Sequence, residues 1–398
     1  MTRLTKNRMP QVALLLETSH GVSRAMLQGV FNYVRVYGPW SLNVIEGGSS
    51  DQRLPDTRVW KGDGIIARVP NDEAAKAILA SRLPAVLVNP ADAYLDPRHP
   101  LSRYSRIQFD SHAIGAFAAA HLLGRTPRHF AFVGAASDPN WSRWRREAFC
   151  ARIAQADAVC HDYPLPPAPE RDWSAERPRL CAWLKKLPKP AAIFAANDNR
   201  GRQVLDACLV ADIGVPYEVT VLGVNNDPLI CETSIPPLSS IAVDDEKAGY
   251  EAAQVLDLLM QGREGPGRVV RYGPKDLISR TSTADLQIAD KRVIRALEFI
   301  RINAGITVKV DDLVRHLHAS RRSLETRFKA AMGRTVYAEI MRVRLERVQT
   351  LLRETPMTIE AIADTCGFAS ASHLGTVFRS HFGKTLSSFR RQTRADER

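Results

Sequence analysis

The sequence predicts two units of different class in one 398-residue chain: an α/β unit with parallel sheets over about residues 10–284, then an all-α unit over 292–393. Three observations predict this. Short apolar runs alternate with helix-period segments through the first 285 residues. Seven positions beyond residue 300 recur in type at a constant offset of 50. The net charge of +12 is unevenly held: residues 286–398 carry 21 Lys+Arg against 12 Asp+Glu, whereas the first 285 carry 34 against 31. A charge excess concentrated in the shorter unit points that unit toward a polyanion.

The elements follow in order. Val12-Ala-Leu-Leu-Leu16 is a continuous apolar run, as in a strand buried on both faces. After the polar break Glu17–Gly21, Met26, Val30 and Val34, flanked by Leu27 and Phe31, keep helical spacing. Gly64–Ala67 precedes a helix from about Asn71, and Ala85–Val88 is another buried strand. Ile107–Phe109 leads through Asp110 to a helix over Ser111–Leu123. Phe130–Val133 leads to a helix beginning near Trp141, and Ala191–Ala195 leads through Asn197-Asp198 to a helix containing Val204, Leu205 and Cys208. Val219–Leu222 runs into Gly223-Val-Asn-Asn-Asp227, and Ser240–Val243 leads to a helix over Asp245–Met260. Such alternation predicts a doubly wound unit. The Pro-rich stretch Pro164–Pro169 reads as a surface loop.

Parallel sheets bind ligands in the loops at the carboxyl ends of their strands. Here those loops carry Thr18 and Ser19, Arg68, Asp110, Asn197 and Asp198, and Asn225 and Asn226. There is no G-x-G-x-x-G and no G-x-x-x-x-G-K-[ST], so a nucleotide is not the expected ligand. Amides, carboxylates and guanidinium suit a polyhydroxyl solute, because each hydroxyl both donates and accepts. Each Asn or Asp after a strand also has an alternative role as a helix cap.

Leu14-Leu-Leu-Glu-Thr-Ser19, Phe130-Ala-Phe-Val-Gly134, Phe194-Ala-Ala-Asn-Asp198, Val221-Leu-Gly-Val-Asn-Asn-Asp227, Pro236-Pro-Leu-Ser-Ser-Ile241 and Arg280-Thr-Ser282 occur in this order. Together they resemble the sensor domain of the lac/purine repressor family, which is similar to periplasmic sugar-binding proteins. The resemblance covers about residues 10–284. It implies two lobes joined by three crossovers with the effector between them: lobe 1 at about 10–112 and 242–270, lobe 2 at about 113–241. It further implies that Asn197 and Arg145 reach the effector, that Asp110 and the Thr18–His20 loop line its site, and that Asn225 stands where the family has an effector-binding Asp. Repressors of that family begin with a DNA-reading module. Here the first strand starts about ten residues in, and residues 1–9 form only an N-terminal arm.

Gly262-Arg-Glu-Gly-Pro-Gly267 is turn-rich and Thr283–Ile288 lacks apolar periodicity, so a linker is placed at 285–291. Beyond it, Ser320, Leu324, Phe328, Lys329, Gly333, Arg334 and Thr335 recur as Ser370, Leu374, Phe378, Arg379, Gly383, Lys384 and Thr385. Amphipathic segments precede both copies, Val310–Leu317 and Ile359–Phe368. Each copy reads as helix, short turn, helix: the serine caps the second helix and Leu and Phe form its i, i+4 core face. That leaves Arg321, Arg322, Ser323, Glu325 and Thr326 outward in the first copy, and Ala371, Ser372, His373 and Thr376 in the second. A helix-turn-helix sets such positions against base edges in the major groove, where Arg suits guanine and Glu suits cytosine. The second helix, with short side chains and one His, suits docking more than discrimination. Arg334, Thr335, Lys384 and Thr385 open the following helices and suit phosphate contacts. One helix over Tyr337–Arg353 joins the copies; its seventeen residues span about 25 Å.

Ala361-Ile-Ala-Asp-Thr-Cys-Gly-Phe368, His373-Leu374, Val377-Phe-Arg379, Phe382-Gly-Lys-Thr385 and Phe389-Arg390 resemble the AraC-type double helix-turn-helix signature over about 290–392. A repressor-type sensor followed by an AraC-type reader is uncommon, and its order is similar to that of bacterial xylose-responsive activators. That resemblance implies a homodimer on a double-stranded DNA operator, D-xylose as the effector, and action on RNA polymerase as an activator. An enzyme fused to a DNA reader is the alternative, but no G-x-S-x-G and no Pro-Cys-His motif is present. Neither a catalytic residue nor a cofactor is expected.

Composition agrees with a globular chain: 45% of residues are apolar and 25% charged. Cys150, Cys160, Cys181, Cys208, Cys231 and Cys366 form no C-x-x-C pair and read as buried thiols of a reducing compartment. His316 and His318 are two apart on a helix and make poor metal ligands. The apolar run after Arg3, Lys6 and Arg8 has five residues, too short for a signal peptide, and no stretch is long enough to span a membrane. A cytoplasmic location is expected.

Overall fold

The computed structural model describes residues 8–56, 59–125, 129–136, 138–165, 172–284, 288, 290–303 and 308–395. Most of the N-terminal arm, of the Pro164–Pro169 loop and of the 285–291 linker lies outside these. The chain divides into two compact units, Met1–Asp285 and Leu286–Arg398.

The first unit holds two six-stranded sheets. The first sheet contains β1 (Gln11–Leu15), β2 (Ser41–Val44), β3 (Gly64–Ala67), β4 (Ala85–Val88), β5 (Ser105–Phe109) and, from far along the chain, β11 (Val269–Tyr272). Its order is β11-β5-β4-β3-β1-β2, and every pairing is parallel. The second contains β6 (His129–Val133), β7 (Cys160–Asp162), β8 (Ala191–Ala195), β9 (Val219–Val224), β10 (Ser239–Val243) and β12 (Pro274–Ile278), in the order β12-β10-β9-β8-β6-β7. The chain passes between lobes three times, after Phe109, after Val243 and between Tyr272 and Pro274. The central strands are buried throughout, because helices cover both faces of each sheet.

Three strands depart from the expected pattern. β2 and β7 are short edge strands that the apolar runs do not mark. β12 pairs antiparallel with β10, so the second sheet is not wholly parallel, and it places 274–278, left unassigned by the sequence reading, in the second lobe. The third crossover turns the chain directly into this edge, with no helix between the strands to reverse its direction.

Helices α1 (Gly21–Tyr37), α2 (Asp72–Ser81), α3 (Asp92–Leu95), α4 (Ser111–Leu123), α5 (Asn140–Ala154), α6 (Trp173–Lys186), α7 (Asp198–Val210), α8 (Pro228–Cys231) and α9 (Asp245–Met260) complete the unit. α1 crosses α9 with the backbones in contact. A Cβ on Gly249 would stand 2.6 Å from the carbonyl carbon of Met26, so only glycine permits this approach. Cys150 and Cys160 correct the reading of six thiols: they form a disulfide between α5 and β7, Cα–Cα 5.4 Å. The underlying reason is tertiary, since α5 packs beside β6 and β7 and so brings together two cysteines ten apart in sequence. The other four cysteines are buried.

The second unit is helical: α10 (Lys291–Ile302), α11 (Val310–His316), α12 (Arg321–Met332), α13 (Val336–Glu354), α14 (Ile359–Thr365), α15 (Ala371–Phe382) and α16 (Leu386–Ala395). α10 was not anticipated as an element. It begins inside the span read as linker, capped by Asp290, and buries Val293, Ile294, Leu297 and Ile300. Leu345, Val348 and Leu352 of α13 share a core with Ile362, Leu374 and Phe378, so α13 carries the second copy on its own apolar face.

Candidate ligand cleft and nucleic-acid interface

The carboxyl-end loops of the two sheets approach each other in the first unit. Asn140 Nδ2 of α5 donates to Pro90 O at 3.2 Å, and Arg143 pairs with Asp92. At the start of α1, a Cβ on Gly21 would stand 2.6 Å from Asp227 Oδ2, so Gly21 lets the β1 loop close against the β9 loop.

Among the candidates, Arg145 is the most deeply placed, at 1% exposure. Its guanidinium lies 4.9 Å from the Trp141 ring and 5.5 Å from the Phe109 ring, and Nη1 donates to Ala196 O at 2.5 Å. Phe109 belongs to the first lobe and Ala196 to the second, so Arg145 is held by both. Burial brings its pKa down to about 10, opposed by the electrostatic influence of Tyr272, Asp245 and Asp198. Its Nε is buried without a hydrogen-bond partner.

Asn225 has φ 106, and its Oδ1 is likewise buried and unpartnered. Its backbone is bound, N donating to Ile241 O at 2.9 Å. Arg68 stands 3.8 Å from Glu17, and His20 stands 3.3 Å from the same buried carboxylate. Thr18 Oγ1 accepts from Gly47 N at 2.8 Å, and its carbonyl accepts from Arg24 Nη1 at 2.8 Å, which fixes the loop that carries exposed Ser19. Asp110 and Asn197 fill the alternative role. Asp110 Oδ1 caps α4 through Ala113 N, and Asn197 Oδ1 caps α7 through Arg200 N, both at 2.9 Å. A cap occupies one atom: Asn197 keeps two amide donors and Asp110 a second oxygen.

Sequence reasoning placed Asp198 in a ligand loop without giving it a role, and passed over Glu17, Asp245 and Tyr272. Burial raises Asp245 to about 8, opposed by Arg145 and assisted by Asp244. It raises Asp198 to about 7, opposed by the bonds from Ser240 Oγ at 2.5 Å and Asp227 N at 2.8 Å. Buried Tyr272 accepts from Asn89 Nδ2 at 2.9 Å and packs 4.6 Å from Phe109. A carboxylate directly after a strand is the signal that marks Glu17. Asp245 looks in sequence like an ordinary first-turn acid.

In the second unit the repeat is a repeat of capping. Ser320 Oγ accepts from Ser323 N at 3.3 Å and Ser370 Oγ from His373 N at 3.1 Å. Leu324, Phe328, Leu374 and Phe378 are buried. Gly333 and Gly383 end α12 and α15 in left-handed conformations, φ 68 and φ 69, which accounts for glycine at both positions. Arg321, Arg322 and Thr326 are exposed on α12, with Ser323 and Glu325 half-buried; Ser372, His373 and Thr376 are exposed on α15, with Ala371 half-buried. Several already have partners. Arg321 pairs with Asp311 at 3.2 Å, Glu325 Oε2 accepts weakly from Val336 N at 3.4 Å, and Thr376 Oγ1 donates to Ser372 O at 3.1 Å.

The predicted phosphate-contact residues are also structural. Thr335 caps α13 through Ala338 N at 3.1 Å and Thr385 caps α16 through Ser388 N at 3.2 Å, each keeping its hydroxyl proton. Lys384 Nζ donates to Gln392 Oε1 at 2.8 Å. Arg334 Nε donates to Glu339 at 2.5 Å, and Arg342 grips the same carboxylate at 2.7 Å. Burial opposes the charge of Glu339, yet the bonds from Arg342 and Arg334 hold its carboxyl below the ordinary value. Among the described residues no group of His, Cys, Asp and Glu is placed to hold a metal, and no helix is long and apolar enough to cross a membrane.

Comparison with known proteins follows the same division. A periplasmic binding protein-like domain matches residues 119–283 and a helix-turn-helix domain matches residues 313–392. The xylose operon regulatory protein of Escherichia coli (strain K12) is 30% identical over 384 residues, which covers 96% of each chain. That of Haemophilus influenzae is 30% identical over 390 residues, 96% of this chain and 98% of the relative. The solved structure of a xylose-binding transcription activator is similar with TM-score 0.81 and 30% identity, over 96% of this chain and 98% of that one.

Proposed function

The chain belongs to the family of xylose operon regulatory proteins, and from that premise we propose a transcriptional activator whose first unit binds D-xylose and whose second unit binds an operator. One observation carries the reading. A cleft with buried, partly unsatisfied polar side chains from both lobes shares a chain with two serine-capped helices that present polar side chains outward. The first is suited to a small polyol, the second to the major groove. The relatives are regulators, so nothing favours the alternative of an enzyme fused to a DNA reader.

In this reading Arg145, Asn225, Asn197, Arg68, Asp110, Thr18 and Ser19 meet the sugar. A ligand touching both lobes binds more tightly when they are closed and so shifts the population toward closure. Arg322, with Arg321, Ser323, Glu325 and Thr326, reads bases from α12. Ala371, Ser372, His373 and Thr376 of α15 dock the second half, and Arg334, Thr335, Lys384 and Thr385 meet phosphates. The protein works as a cytoplasmic homodimer and acts on RNA polymerase.

The test is fluorescence anisotropy on DNA upstream of the adjoining operon, with and without D-xylose. The expected results are specific binding altered by D-xylose and a steep fall in affinity with salt. Equal affinity for operator and scrambled DNA would remove the regulatory reading. Specific binding unmoved by any pentose would remove the sugar.

A further inference from the structure

We propose that Asp245 is the carboxylate that takes a sugar hydroxyl in this sensor, and hence a determinant of which pentose it accepts; the proposal rests on the pentose reading above. Asp245 opens α9 just after the second crossover, where the chain passes from one lobe to the other. It is 5% exposed, and its Oδ1 is buried with no hydrogen-bond partner. It shares a recess of about 580 Å³ with Asn225, whose Oδ1 is also buried and unpartnered.

Other carboxylates around that recess are engaged. Asp227 Oδ1 caps α8 through Leu229 N at 3.0 Å. Asp244 Oδ1 stands 3.6 Å from Lys275 Nζ, Glu246 Oε1 accepts from Asn32 at 2.6 Å, and Asp276 Oδ1 accepts from Leu277 N at 2.7 Å. Asp245 is thus the one among these five with a buried oxygen still to satisfy. Arg145 does not line that recess, but Asp245 lies within its electrostatic influence, and the Arg145 Nε is buried and unpartnered. A hydroxyl can accept from a guanidinium while donating to a carboxylate, which neither charged group can do for itself. The orphaned acceptor and donor are therefore complementary to a ligand that carries hydroxyls, and poorly matched to an apolar or anionic one.

The test is calorimetric titration of the full chain, wild type and Asp245→Asn, with D-xylose, L-arabinose, D-ribose and singly deoxygenated xyloses. The titration is run at about pH 9, where Asp245 is ionised; Asn keeps the shape and removes that buried charge, so the variant is expected to melt no lower than wild type. The expected result is D-xylose bound roughly 10- to 150-fold more weakly by Asp245→Asn, the fold-change of one lost charge-assisted hydrogen bond. One deoxy sugar, lacking the hydroxyl that Asp245 takes, should bind both proteins alike. Asp245→Ala gives a second variant should the amide make bonds of its own. Wild type that binds D-xylose and variants that bind it equally well overturn the role of Asp245 alone. Wild type that binds none of the sugars overturns the pentose reading and this proposal with it.

Discussion

Gly115 is where α4, whose N-cap is Asp110, lies against the backbone of Arg145. A Cβ there would stand 3.1 Å from both the Arg145 carbonyl carbon and Ala148 Cβ, and closer still to the Arg145 carbonyl oxygen. Carbon atoms in ordinary contact keep about 3.5–4.0 Å, so Gly115→Ala must part the helices by roughly 0.5–1 Å. Overpacking of this kind costs about 1–3 kcal/mol. At about 2–4 °C per kcal/mol for a unit of this size, the sensor melts roughly 2–12 °C lower. The shift falls on the turn that holds Arg145 against Trp141, Phe109 and Ala196, so sugar affinity should fall by about tenfold as one charged hydrogen bond weakens. All six tryptophans, at 40, 60, 141, 144, 173 and 183, precede residue 286, so tryptophan fluorescence reports sensor melting without the helical unit. Gly265→Ala is the control, since its Cβ meets nothing within 4 Å. If Gly115→Ala melts with Gly265→Ala and binds sugar as tightly, the close approach does not position Arg145 and the reasoning fails.

Asp198 gives a pH prediction. Its folded pKa, about 7, lies above the ordinary 3.8, so the stability it contributes is complete below 3.8 and is lost as pH rises through 7. The sensor melting temperature should therefore fall between pH 5 and pH 7, and Asp198→Asn should make that slope shallower, with Asp245 supplying the remainder; an unchanged slope refutes the assignment. Glu339→Gln leaves Arg334 and Arg342 to water, because both are more than a third exposed. The cost is expected at about 1–2 kcal/mol, the lower part of the range for charged hydrogen bonds. It should appear in the circular dichroism of urea unfolding and not in tryptophan fluorescence. Arg322→Ala should cost about 1–3 kcal/mol on the preferred operator and relax base choice at one position, whereas Lys384→Ala should weaken all sequences alike and lower the salt slope by about one. Unchanged base preference in Arg322→Ala, read by competition binding, would remove α12 from the role of reader.

Much of this was legible because burial writes itself into sequence. β3, β4 and β8 are covered on both faces and so appear as unbroken apolar runs. The edge strand β2 alternates exposed and half-buried residues over only four positions, too few to distinguish from a loop. Arg145 shows the harder limit. Arg143, Arg145 and Arg146 lie close together in a polar stretch, yet only Arg145 is enclosed, at 1% exposure. Composition cannot select among three arginines; the helical phase of α5 and the approach of Ala196 do. Resemblance pointed to Arg145, whereas local pattern did not. Asp245 escaped both, because a first-turn acid is ordinary and its burial arises from a crossover distant in sequence from Arg145.

The two reading helices separate what a scaffold requires from what a readout requires. Serine at the cap, Leu and Phe on the inner face and glycine at φ near +70 recur in both, since each fills a geometric demand that few residues meet. The outer positions follow no such demand and have diverged: Arg321, Arg322 and Glu325 stand where the other copy has Ala371, Ser372 and Gly375. Within the first copy the outer groups are also unequal. Arg321 is drawn to Asp311, and Glu325 leans on the backbone of Val336, whereas Arg322 is exposed at the start of the helix. A guanidinium that must leave an ion pair before reaching a base yields less net energy than one that need not. Base discrimination is therefore expected to concentrate in the half-site under α12 and on Arg322 within it. The short side chains of α15 allow a close approach to the backbone of the other half-site. Duplicated structure thus need not mean duplicated specificity, and an operator for this protein should carry one strongly constrained half-site and one permissive half-site.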